Sequence, residues 1–403
     1  MRKLQAQGVT AERSCEKLGH ATQPRPSAGP LVWLHAASVG ESLSVLALIT
    51  RMGQILPTAH FLITSGTATS AKLVAQRLPP RTVHQFAPLD APRPVKRFLN
   101  HWQPDAAIFV ESELWPQMLR RTHATGARMA LVNARMSEKT VAFWAEWPQA
   151  ARYIFDVFAL ILTQNDAMAQ NMIRMNAPAE RVARGVNLKS MSGPLPVDAS
   201  ALQEVRTTLA DRPIWVASST HEGEESAVLS AHRQLLKRFP GLCLILAPRH
   251  PERGDIVEQL IASDGLSYRR RSRGEAPGGQ VYLADTMGEL GLWYEMAEIV
   301  FLGGSLLPIG GHNPFEVAQA GAAVLTGNHV AAFAETYALL ETEGAARIIA
   351  DGDDLAARVA VLLTDPDELA AMTSAAQRFT ATQDDQLDAI ATRLITALEL
   401  DRA

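Results

Sequence analysis

Short apolar runs recur along the chain, each five to seven residues long, and between them apolar positions return every three or four residues. The first half carries LVWLHAA (31–37), HFLIT (60–64), AAIFV (106–110), ARMALVN (127–133) and ALILTQN (159–165). The second half carries IWVASS (214–219), LCLILAP (242–248), VYLAD (281–285), EIVFLGG (298–304), AAVLTG (322–327) and ARIIA (346–350). Runs this short and this apolar suit parallel strands buried on both faces. The stretches between them suit helices; in Glu224 to Phe239, Val228, Leu229, His232, Leu235 and Leu236 fall on one stripe. Strand and helix alternate twice over. This predicts an α/β protein of two doubly wound, Rossmann-like domains facing a central cleft.

A length of 403 residues is more than one core usually holds, in keeping with two domains. The Ser-, Gly- and Pro-rich stretch SMSGPLPVDA (190–199) predicts the break, giving domains 1–190 and 191–403. Gln386 to Leu400 reads as a last amphipathic helix, free to pack back on the first domain. Apolar residues make up 47% and charged residues 20%, which excludes a disordered chain. Cys15 and Cys243 are too few for a disulfide framework, so a reducing compartment is expected. No signal-peptide core stands near the start, and the longest uncharged stretches are broken by Gly, Pro, Asn and His, so no spanning helix is expected.

Charge is divided unevenly. Residues 1–190 hold 22 Lys and Arg against 12 Asp and Glu, a net of +10; the remainder holds 16 against 30, a net of −14. A basic half suits an anionic surface or substrate, although ordinary solubility charge reads the same way.

In doubly wound sheets ligands sit at the carboxyl ends of strands. There stand SVGE (38–41), ESELWP (111–116), NARMSEK (133–139), STHEGEE (219–225), PRHPER (248–253), DTMGEL (285–290) and GGSLLPIGGHNPFE (303–316). GGHNPFE predicts a helix start with Asn313 as N-cap, Pro314 at the first position and Glu316 closing a capping box. Those roles leave Gly303, Gly304, Gly310 and Gly311 unexplained, and glycines ahead of a helix N-terminus suit a nucleotide phosphate. Thr286 and Glu289 make a second capping box, with Gly288 after Met287 giving close backbone approach. Thr220, after Ser219, is expected to cap the helix of STHEGEE. Arg249, following Pro248, suits a phosphate or a base.

The first domain offers acids instead: Glu41, Glu111 and Glu113. Each is either a helix-start or salt-bridged acid, or a base near neutral pH if buried. His221–Glu222 and His312–Asn313 lack metal-ligand spacing, so no metal is expected. No Ser-nucleophile elbow and no GKS or GKT phosphate loop occurs. The aromatic segment VAFWAEWPQAARYIF (141–155) reads as core, or as an apolar surface that meets lipid.

Taken in order, these seven motifs resemble the Kdo (3-deoxy-D-manno-octulosonic acid) transferases of Gram-negative lipopolysaccharide biosynthesis, over roughly residues 30 to 330. The resemblance implies a GT-B fold and an inverting, metal-independent glycosyltransferase. Its substrates would be CMP-Kdo and a lipid A precursor, with no cofactor and no nucleic acid. It implies peripheral attachment to the anionic cytoplasmic face of the inner membrane. By motif, Glu41 matches the general base, and Glu111 and Lys189 of GVNLK match groups that stabilise the transition state. Pro248 and Arg249, Met287 to Glu289, and Asn313, Pro314, Phe315 and Glu316 match the segments that contact CMP, with Ser219 and Thr220 beside them.

Two departures stand out. Family members usually begin with an apolar anchor, and this chain starts without one. Val186 stands where the loop before the lysine normally has Gly, and Met191 where an Asp is common. Two alternatives accompany this reading. One is a GT-B enzyme using a different nucleotide sugar; the other is a weakly active paralogue that binds CMP or lipid without turnover.

Overall fold

The computed structural model describes residues 1–188, 195–209 and 212–402. Lys189, one of the expected site residues, lies outside them. The chain folds as two Rossmann-like units, Met1–Ser192 with Asp384–Ala403, and Gly193–Gln383.

In the first unit the strands are β1 (Leu31–His35), β2 (His60–Ser65), β3 (Thr82–Phe86), β4 (Ala106–Val110), β5 (Arg128–Ala134), β6 (Leu160–Thr163) and β7 (Val182–Arg184). They lie parallel in the order β3-β2-β1-β4-β5-β6-β7. Alternate residues serve opposite faces. Val32 and Leu34 join one apolar core and Leu31 and Trp33 the other, which is why β1 reads as an unbroken apolar run. The second unit has β8 (Ile214–Thr220), β9 (Cys243–Pro248), β10 (Tyr268–Arg270), β11 (Val281–Leu283), β12 (Ile299–Leu302), β13 (Ala323–Thr326) and β14 (Ala346–Ile348). Their parallel order is β10-β11-β9-β8-β12-β13-β14.

Three strands escape the apolar-run criterion: β3, β7 and β10. All three are sheet edges. An edge is covered less completely, and here it carries His84, Gln85, Arg184, Arg269 and Arg270 instead of an apolar run.

The second unit ends at Gln383 rather than running to residue 403. One helix, Pro366–Ala397, serves both cores. Ala375, Ala376 and Phe379 pack in the second unit, whereas Leu387, Ile390, Leu394 and Ile395, followed by Leu398 and Leu400, pack against the first sheet. Each sheet changes winding direction at one place, between β1 and β4 and between β8 and β12, the kind of place where doubly wound sheets bind ligands at the strands' carboxyl ends. SVGE, ESELWP, STHEGEE and GGSLLPIGGHNPFE follow these four strands, whereas NARMSEK, PRHPER and DTMGEL follow the neighbouring β5, β9 and β11.

Candidate active site

After β1 the chain turns and the helix Val39–Ser44 begins, with Ser38 as its N-cap. Glu41 is the third helical residue. Its Oε2 accepts the Ala37 backbone N–H at 2.9 Å, and its Oε1 accepts the Ser38 hydroxyl at 2.7 Å. Ser38 Oγ in turn accepts the Glu41 N–H at 3.3 Å. The expected helix-start role is therefore real: this is a capping box drawn one residue back. Each oxygen keeps a lone pair, so capping and proton acceptance are compatible.

A helix N-terminus alone is expected to depress this carboxyl. Glu41 is instead pushed above its ordinary value. Burial is the main cause, and the negative charges of Glu113 and Glu111 add to it, against the Ser38 and Ala37 hydrogen bonds. The fold thus brings the three acids of the first domain into one field.

Glu113 behaves oppositely. Burial raises it, but the hydrogen bond and charge of His35 and the indole N–H of Trp115 outweigh burial and leave it below the usual range. The Trp115 indole donates to its Oε2 at 2.6 Å, and His35 Nε2 lies 3.2 Å from the same oxygen. A carboxylate only accepts, so Nε2 carries the proton. His35 Nδ1 lies 3.0 Å from the Thr64 hydroxyl, which receives the Trp33 indole N–H at 2.9 Å. A buried relay from Trp33 through Thr64 and His35 thereby fixes Glu113.

Glu111 follows β4 with a left-handed backbone, φ 54°. Asn133 Nδ2 donates to its Oε1 at 3.2 Å.

In the second unit a buried acid organises the loops. Glu224 is 1% exposed. Its Oε2 accepts the N–H groups of Gly304 at 2.7 Å and His221 at 2.9 Å; its Oε1 accepts those of Ser305 and Leu306, both at 2.9 Å. The glycines of this loop were expected to bring backbone toward a phosphate. Here the carboxylate of Glu224 already takes the N–H of Gly304, and those of Gly303 and Gly311 go to the carbonyls of Ser218 and Gly304. Gly303 and Gly304 answer to packing, whereas Gly310 answers to its backbone angle, φ 113°. A Cβ on Gly303 would lie 2.7 Å from Thr220 Cα, and one on Gly304 (φ 69°) would lie 2.9 Å from the His312 ring.

That ring matters. His221 Nε2 lies 2.9 Å from His312 Nε2, with the ring planes 8° apart, and the His250 ring meets His221 edge-on at 5.6 Å. Burial, with His221 and Arg249 nearby, pushes His312 down to about 4. His221 is also lowered, chiefly by burial. At neutral pH the pair is uncharged, one nitrogen donating and the other accepting. Metal-ligand spacing missed these histidines because their link is to each other. Among the described residues no group of three or more His, Cys, Asp or Glu could hold a metal ion.

The remaining expected residues sit at strand ends, with local corrections. Thr220 does not cap the STHEGEE helix. It is the last residue of β8, its hydroxyl buried without a partner, and the helix starts at Glu224 after Gly223 at φ 93°. Ser219 has φ 54°, where the β8–β9 register slips. Pro248 ends β9 and is buried; Arg249 beyond it is exposed, and its N–H bonds Thr220 O at 2.9 Å.

The Thr286–Glu289 capping box does not form, because the helix starts only at Leu290. Glu289 is held by the Thr286 hydroxyl and by Arg271, whose Nη2 donates at 2.6 Å. Met287 is 73% exposed and, with Gly288, lies outside that hold. The GGHNPFE helix begins at Phe315, one residue later than expected, and Asn313 Oδ1 accepts the Phe315 N–H at 3.1 Å. Pro314 precedes it, and Glu316 is its second residue.

A family model described as 3-deoxy-D-manno-octulosonic-acid transferase (kdotransferase) matches residues 12–192. The chain is 33% identical over 349 residues to the 3-deoxy-D-manno-octulosonic acid transferase of Haemophilus influenzae, covering 86% of this chain and 81% of that one. It is 31% identical over 382 residues to the enzyme of the same name from Bordetella pertussis, covering 90% and 86%. Among solved structures, a glycosyltransferase from Rickettsia africae aligns with TM-score 0.57 at 12% identity, over 92% of this chain and 98% of that one. UDP-GlcNAc 2-epimerase from Neisseria meningitidis aligns with TM-score 0.56 at 13% identity, over 88% and 100%. At such identities the structural likeness speaks for the fold alone.

Proposed function

The chain belongs to the family of 3-deoxy-D-manno-octulosonic acid (Kdo) transferases, and from that membership we propose that it moves Kdo from CMP-Kdo to a lipid A precursor, with inversion. The observation that carries the mechanism is the raised Glu41 carboxyl, held in place by Ala37 and Ser38 beside two further acids. Glu41 is the general base. It takes the proton of the acceptor hydroxyl as that oxygen attacks the anomeric carbon of Kdo and the bond to the CMP phosphate breaks. Fixed hydrogen bonds and a raised pKa both favour that work near neutral pH. Glu111 and Lys189 stabilise the transition state.

The second unit holds the donor. Its contacts come from Ser219 and Thr220, Pro248 and Arg249, Met287 to Glu289, and Asn313 to Glu316. Arg249 supplies positive charge to the departing phosphate, so the reaction is expected to run without a metal ion. With the N–H groups of Gly304, Ser305 and Leu306 engaged by Glu224, the start of the loop after β12 serves as a wall rather than as an anion cradle.

The acceptor is a lipid, and the first unit suits a peripheral place on the anionic cytoplasmic face of the inner membrane. Among the described residues no helix is long and apolar enough to cross a membrane. The helices Glu138–Ala145 and Pro148–Phe155 bury Val141, Ala151, Ile154 and Phe155 but leave Phe143 and Tyr153, and Trp147 between the helices, more than half exposed. Arg120 lies 4.0 Å over the Tyr153 ring. Aromatic rings among basic residues suit a headgroup region.

The test is transfer from freshly generated CMP-Kdo to a lipid A precursor, with and without EDTA, comparing wild type with Glu41→Gln. Transfer that is lost in the variant and indifferent to EDTA supports the proposal. Thermal protection by UDP but not CMP would refute the donor. Salt-insensitive vesicle flotation would refute the basic membrane face.

A further inference from the structure

One buried side chain joins two parts of the first unit. Val110 of β4 and Val132 of β5 are register partners, so Glu111 and Asn133 are the next residue on each strand. Both leave the extended conformation at the same level, Glu111 at φ 54° and Asn133 at φ 53°. The β5–β6 register slips there too, between Leu131 and Ala134. A left-handed backbone is costly for a residue other than glycine, and Asn bears it better than most. Two such residues side by side at a strand end suggest constraint for function.

Asn133 is 2% exposed, and its amide is divided between two partners. Nδ2 donates to Glu111 Oε1 at 3.2 Å, and Oδ1 accepts the Leu188 backbone N–H at 3.1 Å. The amide has only one workable orientation. Flipped, it would set donor against donor at Leu188 and oxygen against carboxylate at Glu111. Leu188 is itself buried and is the residue before Lys189. A single rigid group therefore spans from the Glu111 carboxylate to the backbone that leads into residue 189.

We infer that Asn133 is a positioning residue for the transfer reaction, its amide holding the Glu111 carboxylate and the loop ending at Leu188 in one fixed relation. The inference rests on the roles proposed above for Glu111 and Lys189. Residue types at 133 separate its functions. Gly keeps the left-handed backbone and removes both hydrogen bonds. Asp keeps the shape and the bond from Leu188, but sets an acceptor against Glu111 until it takes up a proton.

The experiment measures kcat and KM for transfer between about pH 5.5 and 8.5, with CMP binding and thermal midpoints, for wild type, Asn133→Asp, Asn133→Gly and Glu111→Gln. At the alkaline end Asn133→Asp should lose about a hundredfold in kcat, the scale of a small misplacement, with CMP affinity unchanged. As pH falls, two neighbouring carboxyls share a proton, the introduced group donates again, and the ratio of variant to wild-type kcat should rise about tenfold. Asn133→Gly should lose kcat at every pH without such recovery. A pH-independent ratio for Asn133→Asp, or wild-type kcat in Asn133→Gly while Glu111→Gln is inactive, would overturn the inference. Wild-type kcat in Glu111→Gln would remove its premise, the role of Glu111 itself, and overturn it by that separate route.

Discussion

The Ser38 hydroxyl donates to Oε1 of Glu41 at 2.7 Å, and the same serine caps the helix in which Glu41 lies. The proposed base is thus part of its own support. Replacing either partner separates the two jobs. Glu41→Gln keeps a carbonyl acceptor for the cap and loses the base, so transfer should fall about 10²- to 10⁴-fold with little change in thermal midpoint. Ser38→Ala should cost about 1 kcal/mol of stability in urea unfolding and retain much more activity. Equal loss of activity in both would contradict the base assignment.

The pH dependence of transfer follows from the raised Glu41 carboxyl. The base must be ionised, so kcat/KM should fall on the acidic side with its limb above the ordinary value of 4.5. Ser38→Ala removes a hydrogen bond that lowers the pKa and should move the limb to higher pH. Glu113→Gln removes a charge that raises it and should move the limb lower. Shifts of the same sign would show that the limb belongs to another group. Stability has its own sign. A carboxyl raised by folding stabilises below its unfolded pKa, and that contribution is lost as pH rises through the folded value. Glu41→Gln should therefore be no less stable than wild type at pH about 8, as a calorimetric scan would show.

Glu224 gathers four backbone N–H groups from His221, Gly304, Ser305 and Leu306. Glu224→Ala leaves those donors buried and unpaired, and should cost roughly 3–5 kcal/mol and weaken CMP binding by disordering the loops. Denaturant unfolding and a CMP titration would check both. Full stability would mean that water replaces the carboxylate without loss.

Gly304→Ala sets a Cβ against the His312 ring at 2.9 Å on a backbone at φ 69°. It should cost roughly 1–3 kcal/mol and move His312, a change visible in its ring NMR signals. An unmoved ring would count against the contact as the reason for glycine.

The last twenty residues complete the first core. Leu394→Ala should destabilise by roughly 2–5 kcal/mol, since Leu394 is fully buried against the first sheet. Ending the chain at Gln383 should expose that core and lower soluble yield. A truncated protein with an unchanged thermal midpoint would mean that this end is dispensable.

The sequence by itself determined most of the scaffold. Apolar runs such as AAIFV mark strands buried on both faces, because a central parallel strand has no polar side to show. The positions of Glu41, Glu111 and Arg249 after such runs were legible for the same reason. Edge strands such as Tyr268–Arg270 were not, because half-covered strands lose that signature.

What only the tertiary structure decided is how the polar groups meet. Glu41 alone looks like any first-turn acid; Glu111 and Glu113, seventy residues on, change its proton affinity. Glu224 is a helix-start acid in sequence, yet it takes the N–H groups of a loop eighty residues away. His312 looks like a stray histidine until His221 stands 2.9 Å from it. Periodicity reports which face of an element is buried. Partnership between side chains of distant segments depends on strand order, register and burial, and these exist only once the sheets have formed.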